Sequence, residues 1–411
     1  MSFDAKTSAK KVDYKGRHHG DCEFKQRTMR ILMANYEFPP IGGGAGKANL
    51  CLLKEFAANG RLMIDVLTSA PKPGFTTEKF ADNITIYKVG VHKKNLHFWR
   101  KTEVAEWLFK AGFRYHALLR KNSYDLAHAF FAFPTAYLCL RTAAKLPYII
   151  SLRGSDVPGY NVRLRIDYKL LSPLFRRIWK SASALVANSQ GLAELAEKFA
   201  PQLDIGVINN GVYTDTFYPA TAKRPTRPVK ILTVSRLISR KRIDLLIETV
   251  AKAKELDVDI QLDIAGQGNL MHRLEKLARK LAVAERVNFM DRVPTEQMPQ
   301  LYRDNDIFVM SSAHEGMSNA MLEAMACGLP IVTTRCEGVD ELIADNGIVV
   351  EHPSPDSMAE AIKALIDDPP RYEQMSAAAV KQAQQFTWSS AAGQYLDCYH
   401  TVIDKRSRGN G

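Results

Sequence analysis

Beyond the first 28 residues, short β-branched or aliphatic runs alternate with segments of helical period. Ile31–Ala34, Met63–Leu67, Ile84–Lys88, Leu126–Ala129, Tyr148–Leu152, Ala184–Ala187 and Gly206–Ile208 are apolar almost throughout. Strands of a parallel sheet covered on both faces read this way, and the helical patterns between most of them supply the crossovers. A second series has the same grammar: Lys230–Val234, Ile260–Ile264, Val287–Phe289, Ile307–Met310, Ile331–Thr333 and Ile348–Val350. Between the two lies Tyr218–Pro228, which has three prolines and no periodicity and reads as a linker. The pattern predicts two doubly wound, Rossmann-like α/β domains, residues 29–217 and 229–387, joined by 218–228 and followed by a final helix over 388–405. Residues 1–28, polar and aperiodic, are expected to be a disordered leader. Sheets of this kind bind ligands at the carboxyl ends of their strands, so the cleft between the domains is the expected site.

The 411 residues are 46% apolar and 24% charged, enough for two cores and unlike a low-complexity or disulfide-scaffold chain. No apolar run is long enough for a membrane-spanning helix; the nearest, Leu126–Leu140, is interrupted by His128 and Pro134. Six cysteines occur without a CxxC pair, and the opening residues lack the apolar stretch of a secretory signal. Free, buried thiols in a cytoplasmic setting are expected. The net charge of +12 is uneven: residues 29–200 hold 25 basic against 12 acidic residues, whereas 201–411 hold 24 against 28.

Two segments carry the chemistry. The first strand runs into Tyr36-Glu37-Phe38-Pro39-Pro40-Ile41-Gly42-Gly43-Gly44-Ala45-Gly46-Lys47 and then a helical pattern. Glycines let a ligand approach the backbone, and the helix start offers free N–H groups to an anion. The loop is no Walker A, since Ala48 follows Lys47, and no dinucleotide fingerprint, since Lys47 stands where glycine or alanine is required. In the second half, a strand delivers Glu315 onto a loop, Gly316-Met317-Ser318-Asn319, and a helix follows with Ser318 or Asn319 as its cap. Glu323 sits about one turn inside that helix, so both carboxylates and the free amides can address one ligand.

The Glu315–Glu323 spacing resembles the E-x7-E motif of the family 4 glycosyltransferases, retaining enzymes of the GT-B fold. Gly328-Leu329-Pro330 and Glu337-Gly338-Val339-Asp340-Glu341 continue that pattern. Val234-Ser235-Arg236-Leu237-Ile238-Ser239-Arg240-Lys241-Arg242-Ile243-Asp244 is similar to the family's G-R-L-x-x-x-K-G-x-D, with Ser235 and Arg242 where glycine is usual. Ala265-Gly266-Gln267-Gly268 looks like its glycine turn near the nucleoside, and Phe289-Met290-Asp291-Arg292-Val293 resembles F-x-G-x-V with Asp291 in place of glycine. Pro39-Pro40 and Gly42-Gly43 match its N-terminal loop. Leu152-Arg153-Gly154-Ser155-Asp156 corresponds to H-G-x-D, with Arg153 replacing histidine, and arginine cannot act as a base near neutral pH. Phe386-Thr387-Trp388 precedes the final helix, which in this fold crosses back to the first domain. The resemblance covers residues 29–405.

It implies a donor site in the C-terminal domain: Arg236 and Lys241 on a nucleotide-sugar diphosphate, Glu315 on the transferred sugar, and Glu323 on ribose hydroxyls. Gly266, Gly268, Val293, Gly316, Met317, Ser318 and Asn319 complete it. Gly42, Gly43, Gly44, His128, Arg153 and Asp156 are expected on the acceptor or cleft side. No cofactor and no metal are expected, because two fixed cations can stabilise the departing diphosphate. The two D-x-D segments, Asp257-Val258-Asp259 and Asp304-Asn305-Asp306, precede strands and belong at the opposite edge of the sheet. A UDP-sugar is the preferred donor, with GDP-mannose the alternative.

Residues 92–121 and 163–180 mix cations with aromatic and aliphatic side chains. In the first, Val104, Trp107, Leu108, Ala111, Tyr115 and Leu118 recur at helical spacing. Such helices either pack on the core or rest on an anionic membrane surface. No nucleic-acid-binding motif accompanies the charge. The expected acceptor is a glycan or lipid-linked precursor on the cytoplasmic face of a membrane. The rival readings are a GT-B nucleotide-sugar epimerase and a non-catalytic nucleotide-sugar-binding partner protein.

Overall fold

The computed structural model describes residues 28–96, 98–161, 164–220 and 227–409, so the leader expected over 1–28 lies outside the described residues except for Thr28, as does most of the linker. The N-terminal domain runs β1 (Met29–Asn35), α1 (Gly44–Ala57), β2 (Leu62–Ala70), β3 (Gly74–Ala81), β4 (Ile84–Gly90), α2 (Lys101–Lys121), β5 (Leu126–Phe130), α3 (Thr135–Leu140), β6 (Tyr148–Leu152), α4 (Arg165–Lys180), β7 (Ala184–Ala187), α5 (Gln190–Phe199) and β8 (Ile205–Val207). Its sheet has the order β3-β4-β2-β1-β5-β6-β7-β8. Every described pairing in it is parallel except β3 with β4. The apolar runs supply a continuous core: Ile31, Leu32, Met33 and Ala34 are fully buried, as are Leu126, Tyr148 and Ile149.

The C-terminal domain runs β9 (Val229–Val234), α6 (Ile243–Glu255), β10 (Ile260–Ala265), α7 (Met271–Lys280), β11 (Val287–Phe289), α8 (Met298–Arg303), β12 (Ile307–Met310), α9 (Asn319–Ala326), β13 (Ile331–Thr334), α10 (Val339–Leu342), β14 (Gly347–Val350), α11 (Pro355–Ile366) and α12 (Pro369–Ala383). Its parallel sheet has the order β11-β10-β9-β12-β13-β14. In each domain the first strand lies at the point where strand order reverses, β1 between β2 and β5 and β9 between β10 and β12. The loops leaving β1 and β9 are therefore the ones placed to meet a ligand.

The last helix, α13 (Trp388–Gly409), belongs to the first core. Trp388, Ala391, Tyr395, Cys398, Tyr399 and Val402 are buried among residues of the N-terminal domain. The chain thus crosses back as expected, and its helix runs a turn beyond the expected end. β3 was not foreseen. It is an edge strand with most of its residues exposed, so it has no apolar run to announce it. Cys51, Cys139, Cys327, Cys336 and Cys398 are unpaired and buried, while Cys22 lies outside the described residues. Among the described residues no helix is long and apolar enough to cross a membrane.

Candidate active site

The loop after β9 tightens into a turn over Ser239–Lys241 and ends at Arg242, which has φ 46° and ψ 45° and starts α6. This left-handed residue is where the family pattern has glycine, and Asp291, another of the three substituted glycines, also has a positive φ of 53°. At these two positions left-handed backbone is adopted without glycine. Ser235 is not left-handed and sits beside Gly266, where a Cβ would lie 1.9 Å from the Ser235 carbonyl oxygen. Gly268 presses equally closely on Leu237. The two glycines thereby hold the segment on either side of Arg236. Val293 is half-buried and packs on the core of the same domain.

Opposite, the loop after β12 carries Glu315, whose backbone N–H donates to Glu337 Oε2 at 3.0 Å. His314 Nδ1 meets the other oxygen of Glu337 at 2.7 Å, which fixes this loop. Ser318 caps α9 through Met321 N–H, as one of the two expected caps. Lys241 is ion-paired with Glu315. Burial alone would push the Glu315 carboxyl up, but Lys241, with Arg240 and Arg236 behind it, holds it below the usual carboxylate range. Glu323, buried in the second turn of α9, accepts from Tyr302 Oη at 3.0 Å and pairs with Lys47 of α1.

The N-terminal domain closes the other side. Gly42 has φ 91°, and a Cβ on Gly43 would lie 3.3 Å from the Arg236 guanidinium, so this loop reaches the cation of the facing domain directly. Asn319 Nδ2 donates to the Gly44 carbonyl at 3.3 Å. Asn210 Nδ2 donates to Asn319 Oδ1 at 2.8 Å, and Gly316 N–H donates to Tyr160 Oη at 3.3 Å. Between these contacts opens a cavity of about 800 Å³ lined by Gly44, Arg153, Arg236, Arg240, Glu315, Gly316 and Met317, with an apolar wall on the N-terminal side. The Arg153 guanidinium donates to Asn210 Oδ1 at 2.9 Å and Tyr395 Oη at 3.2 Å, while its buried Nε–H has no hydrogen-bond partner. Arginine at this position both ties the crossover helix to the cleft and faces the cavity.

Two expectations fail. His128 is fully buried and does not line the cavity; its ring nitrogens meet Tyr399 Oη and Ser151 Oγ, each at 2.7 Å. It occurs mid-strand where the side chain points into the core, and burial pushes it well below the ordinary histidine range, with Arg153 adding to the effect. Asp156 is also behind the cleft. It accepts from Ala132 N–H at 2.8 Å and Arg153 N–H at 2.9 Å, bracing the Arg153 loop, and burial raises it to about 6. Both D-x-D segments stand at the amino ends of β10 and β12, away from the cleft edge, where Asp306 accepts from Lys230 N–H and Asp259 pairs with Arg286.

A family model for glycosyl transferases group 1 matches residues 215–382, and one for glycosyltransferase family 4 matches residues 42–216. The D-inositol 3-phosphate glycosyltransferase of Corynebacterium aurimucosum is 32% identical, over 90% of this chain and 96% of that protein. The chain belongs to the family 4 glycosyltransferases. Among solved GT-B structures, the glycosyltransferase superimposes on sucrose-phosphate synthase of Thermosynechococcus elongatus with a TM-score of 0.78, covering 92% of this chain and all of that one at 18% identity. Against Anabaena HepE in complex with UDP and glucose the TM-score is 0.66, at 20% identity over 90% and 99% of the two chains.

Sequence reasoning missed two cations of this glycosyltransferase. In sequence Lys47 reads as the residue that fits neither the Walker nor the dinucleotide pattern; its place in the first turn of a helix entering from the β1 loop is the signal that it points across the cleft. Arg240 lines the cavity with its guanidinium 5.2 Å from the Tyr160 ring centre. It stands next to the motif lysine in a turn whose course the sequence does not disclose.

Proposed function

We propose that the protein moves a sugar from a nucleotide-sugar donor, preferentially a UDP-sugar, to an acceptor hydroxyl with retention at the anomeric carbon. The observation that carries this reading is the convergence of Arg236, Lys241, Glu315 and Glu323 on one sheet edge, facing the Gly42–Gly44 loop and Arg153 across the cleft. Arg236 and Lys241 take the diphosphate. Developing charge on the leaving phosphate is stabilised by these fixed cations, so no divalent ion is needed. Glu323 receives the ribose hydroxyls once Lys47 is displaced from it. Lys241 leaves Glu315 for the diphosphate, and the freed carboxylate binds the sugar. No side chain is assigned as a nucleophile: the leaving phosphate oxygen takes the acceptor proton as the new bond forms on the face the phosphate departs from.

UDP is favoured by its presence in the HepE complex, and a hydroxyl acceptor bearing phosphate by the inositol-phosphate relative. We take the acceptor to be a glycan or lipid-linked precursor presented at a membrane surface, in keeping with the basic N-terminal domain. Thermal-shift titration with UDP, GDP and ADP tests the donor: UDP should raise the melting temperature most, and no rise with any of the three contradicts the reading. EDTA should leave the rate of sugar transfer unchanged; abolition by EDTA with rescue by manganese would overturn the metal-free step. An epimerase would return free or nucleotide-linked sugar without a new glycoside, which mass spectrometry of the products separates. A binding partner without catalysis would release no UDP from any UDP-sugar.

A further inference from the structure

The cavity that meets the reacting edge has two chemistries. Its inner end gathers Arg153, Arg236 and Arg240 around Glu315, and two of these, Arg153 and Arg240, have buried Nε–H groups without partners. Its outer part is walled by Trp99, Leu108, Phe133, Leu164, Leu171 and Phe175, from α2, α4 and neighbouring loops. A nucleotide sugar presents only short apolar surfaces, a base ring and the C–H face of its sugar, which do not match a wall of this extent.

The same helices carry apolar side chains on outward. Ala105 of α2 lines the cavity, and at four-residue spacing come Phe109 and Phe113, 69% and 67% exposed and packed edge to face at 4.9 Å. On α4, Ile166 and Leu170 are 73% and 74% exposed, each one position before a cavity residue, Asp167 and Leu171. Among the described residues, the large apolar side chains that stand exposed are Phe75, Tyr218 and five on α2, α4 or the Phe98 loop. Scattered exposed apolar residues need no account, but a stripe leading out of a cavity does. The surround is cationic: α2 and α4 together hold ten basic against three acidic residues.

We infer that the acceptor is an amphiphile in which a hydrocarbon chain is joined through an anionic phosphate link to the hydroxyl-bearing head. The chain lies between α2 and α4 and leaves past Phe109 and Phe113, while the link sits at Arg153 and Arg240. This rests on the glycosyl-transfer reading and names the substrate class for it. A hydrocarbon occupant is favoured over a protein segment because the apolar wall is continuous with the reacting edge. Whatever fills it must share one cavity with the acceptor hydroxyl.

Calorimetric binding of octyl phosphate and ethyl phosphate to the full chain, both below micelle-forming concentrations, separates the chain from the charge. Octyl phosphate should bind at least about thirtyfold more tightly, since six further methylenes leave water. Ala105→Trp, which fills the slot from an exposed helix position, should weaken octyl phosphate at least tenfold and leave UDP affinity unchanged. Equal affinities for the two phosphates, or octyl phosphate binding untouched by Ala105→Trp, would overturn the inference. So would a dimer that Phe109→Ser with Phe113→Ser dissolves in a chain that does not discriminate the two phosphates; that result gives the face to a second copy. If octyl phosphate discriminates and UDP does not bind, the slot stands and the donor reading fails.

Discussion

Arg242 and Asp291 hold left-handed backbone that costs an L-residue about 1 kcal/mol, less for aspartate. Arg242→Gly should therefore raise stability by about 0.5 to 1 kcal/mol and Asp291→Gly by less, read as the shift in urea midpoint. A loss of stability in Arg242→Gly would mean that the arginine side chain contributes more than its backbone costs. His128 makes a pH-dependent contribution of opposite origin. Its folded-state pKa is depressed, so below the unfolded value of about 6.5 unfolding takes up a proton and stability falls with pH. Between pH 6.5 and 5.5 the loss is about 1 kcal/mol for this one group. His128→Gln removes the titration, and the stability gap between parent and variant should narrow by that amount across the interval. A gap that stays constant would show that His128 is not buried neutral.

At the scale of elements, α2 is anchored by a buried ion pair. Lys93 and Glu103 are almost wholly buried, Glu103 also accepts from Arg100 and Lys94 N–H groups, and the Lys93 ammonium lies 3.8 Å from the Trp99 ring centre. The pair fixes the loop that carries Phe98 and Trp99 into the cavity wall. Glu103→Gln leaves a buried ammonium without its carboxylate, and a loss of about 3 kcal/mol in urea unfolding is expected; a loss below 1 kcal/mol would mean that the loop is held by other contacts. The strands and crossover helices were legible because both faces of these sheets are covered, which writes a largely apolar run for most strands. β3 was not, since its centre, Thr76-Thr77-Glu78-Lys79, is polar and exposed at the sheet edge and leaves no apolar run. The motif residues Arg236, Lys241, Glu315 and Glu323 were legible from spacing, whereas Lys47 and Arg240 depend on how two distant segments face one another. The orientation of His128 was misjudged because a strand-borne histidine near a cleft and one aimed at the core leave the same trace in sequence.

For the whole molecule, the two switch-point loops face each other, and α13 returns to fasten the C-terminal domain onto the first core. Glu341 of α10 reinforces this by accepting from Gln190 N–H at the start of α5 and from Asn209 Nδ2. The basic excess belongs to the N-terminal domain, which supplies the apolar wall of the cavity, while the C-terminal half has a slight acidic excess and still places Arg236 and Lys241 at the cleft. The central claim is that these cations stabilise a departing nucleoside diphosphate. The most direct test is the rate of UDP release from the UDP-sugar that stabilises the protein best, compared between the parent and a folded Lys241→Ala variant. Loss of one such cation should cost about 2–4 kcal/mol of transition-state stabilisation, a fall of about 30- to 1,000-fold. A variant that releases UDP within threefold of the parent would contradict the account.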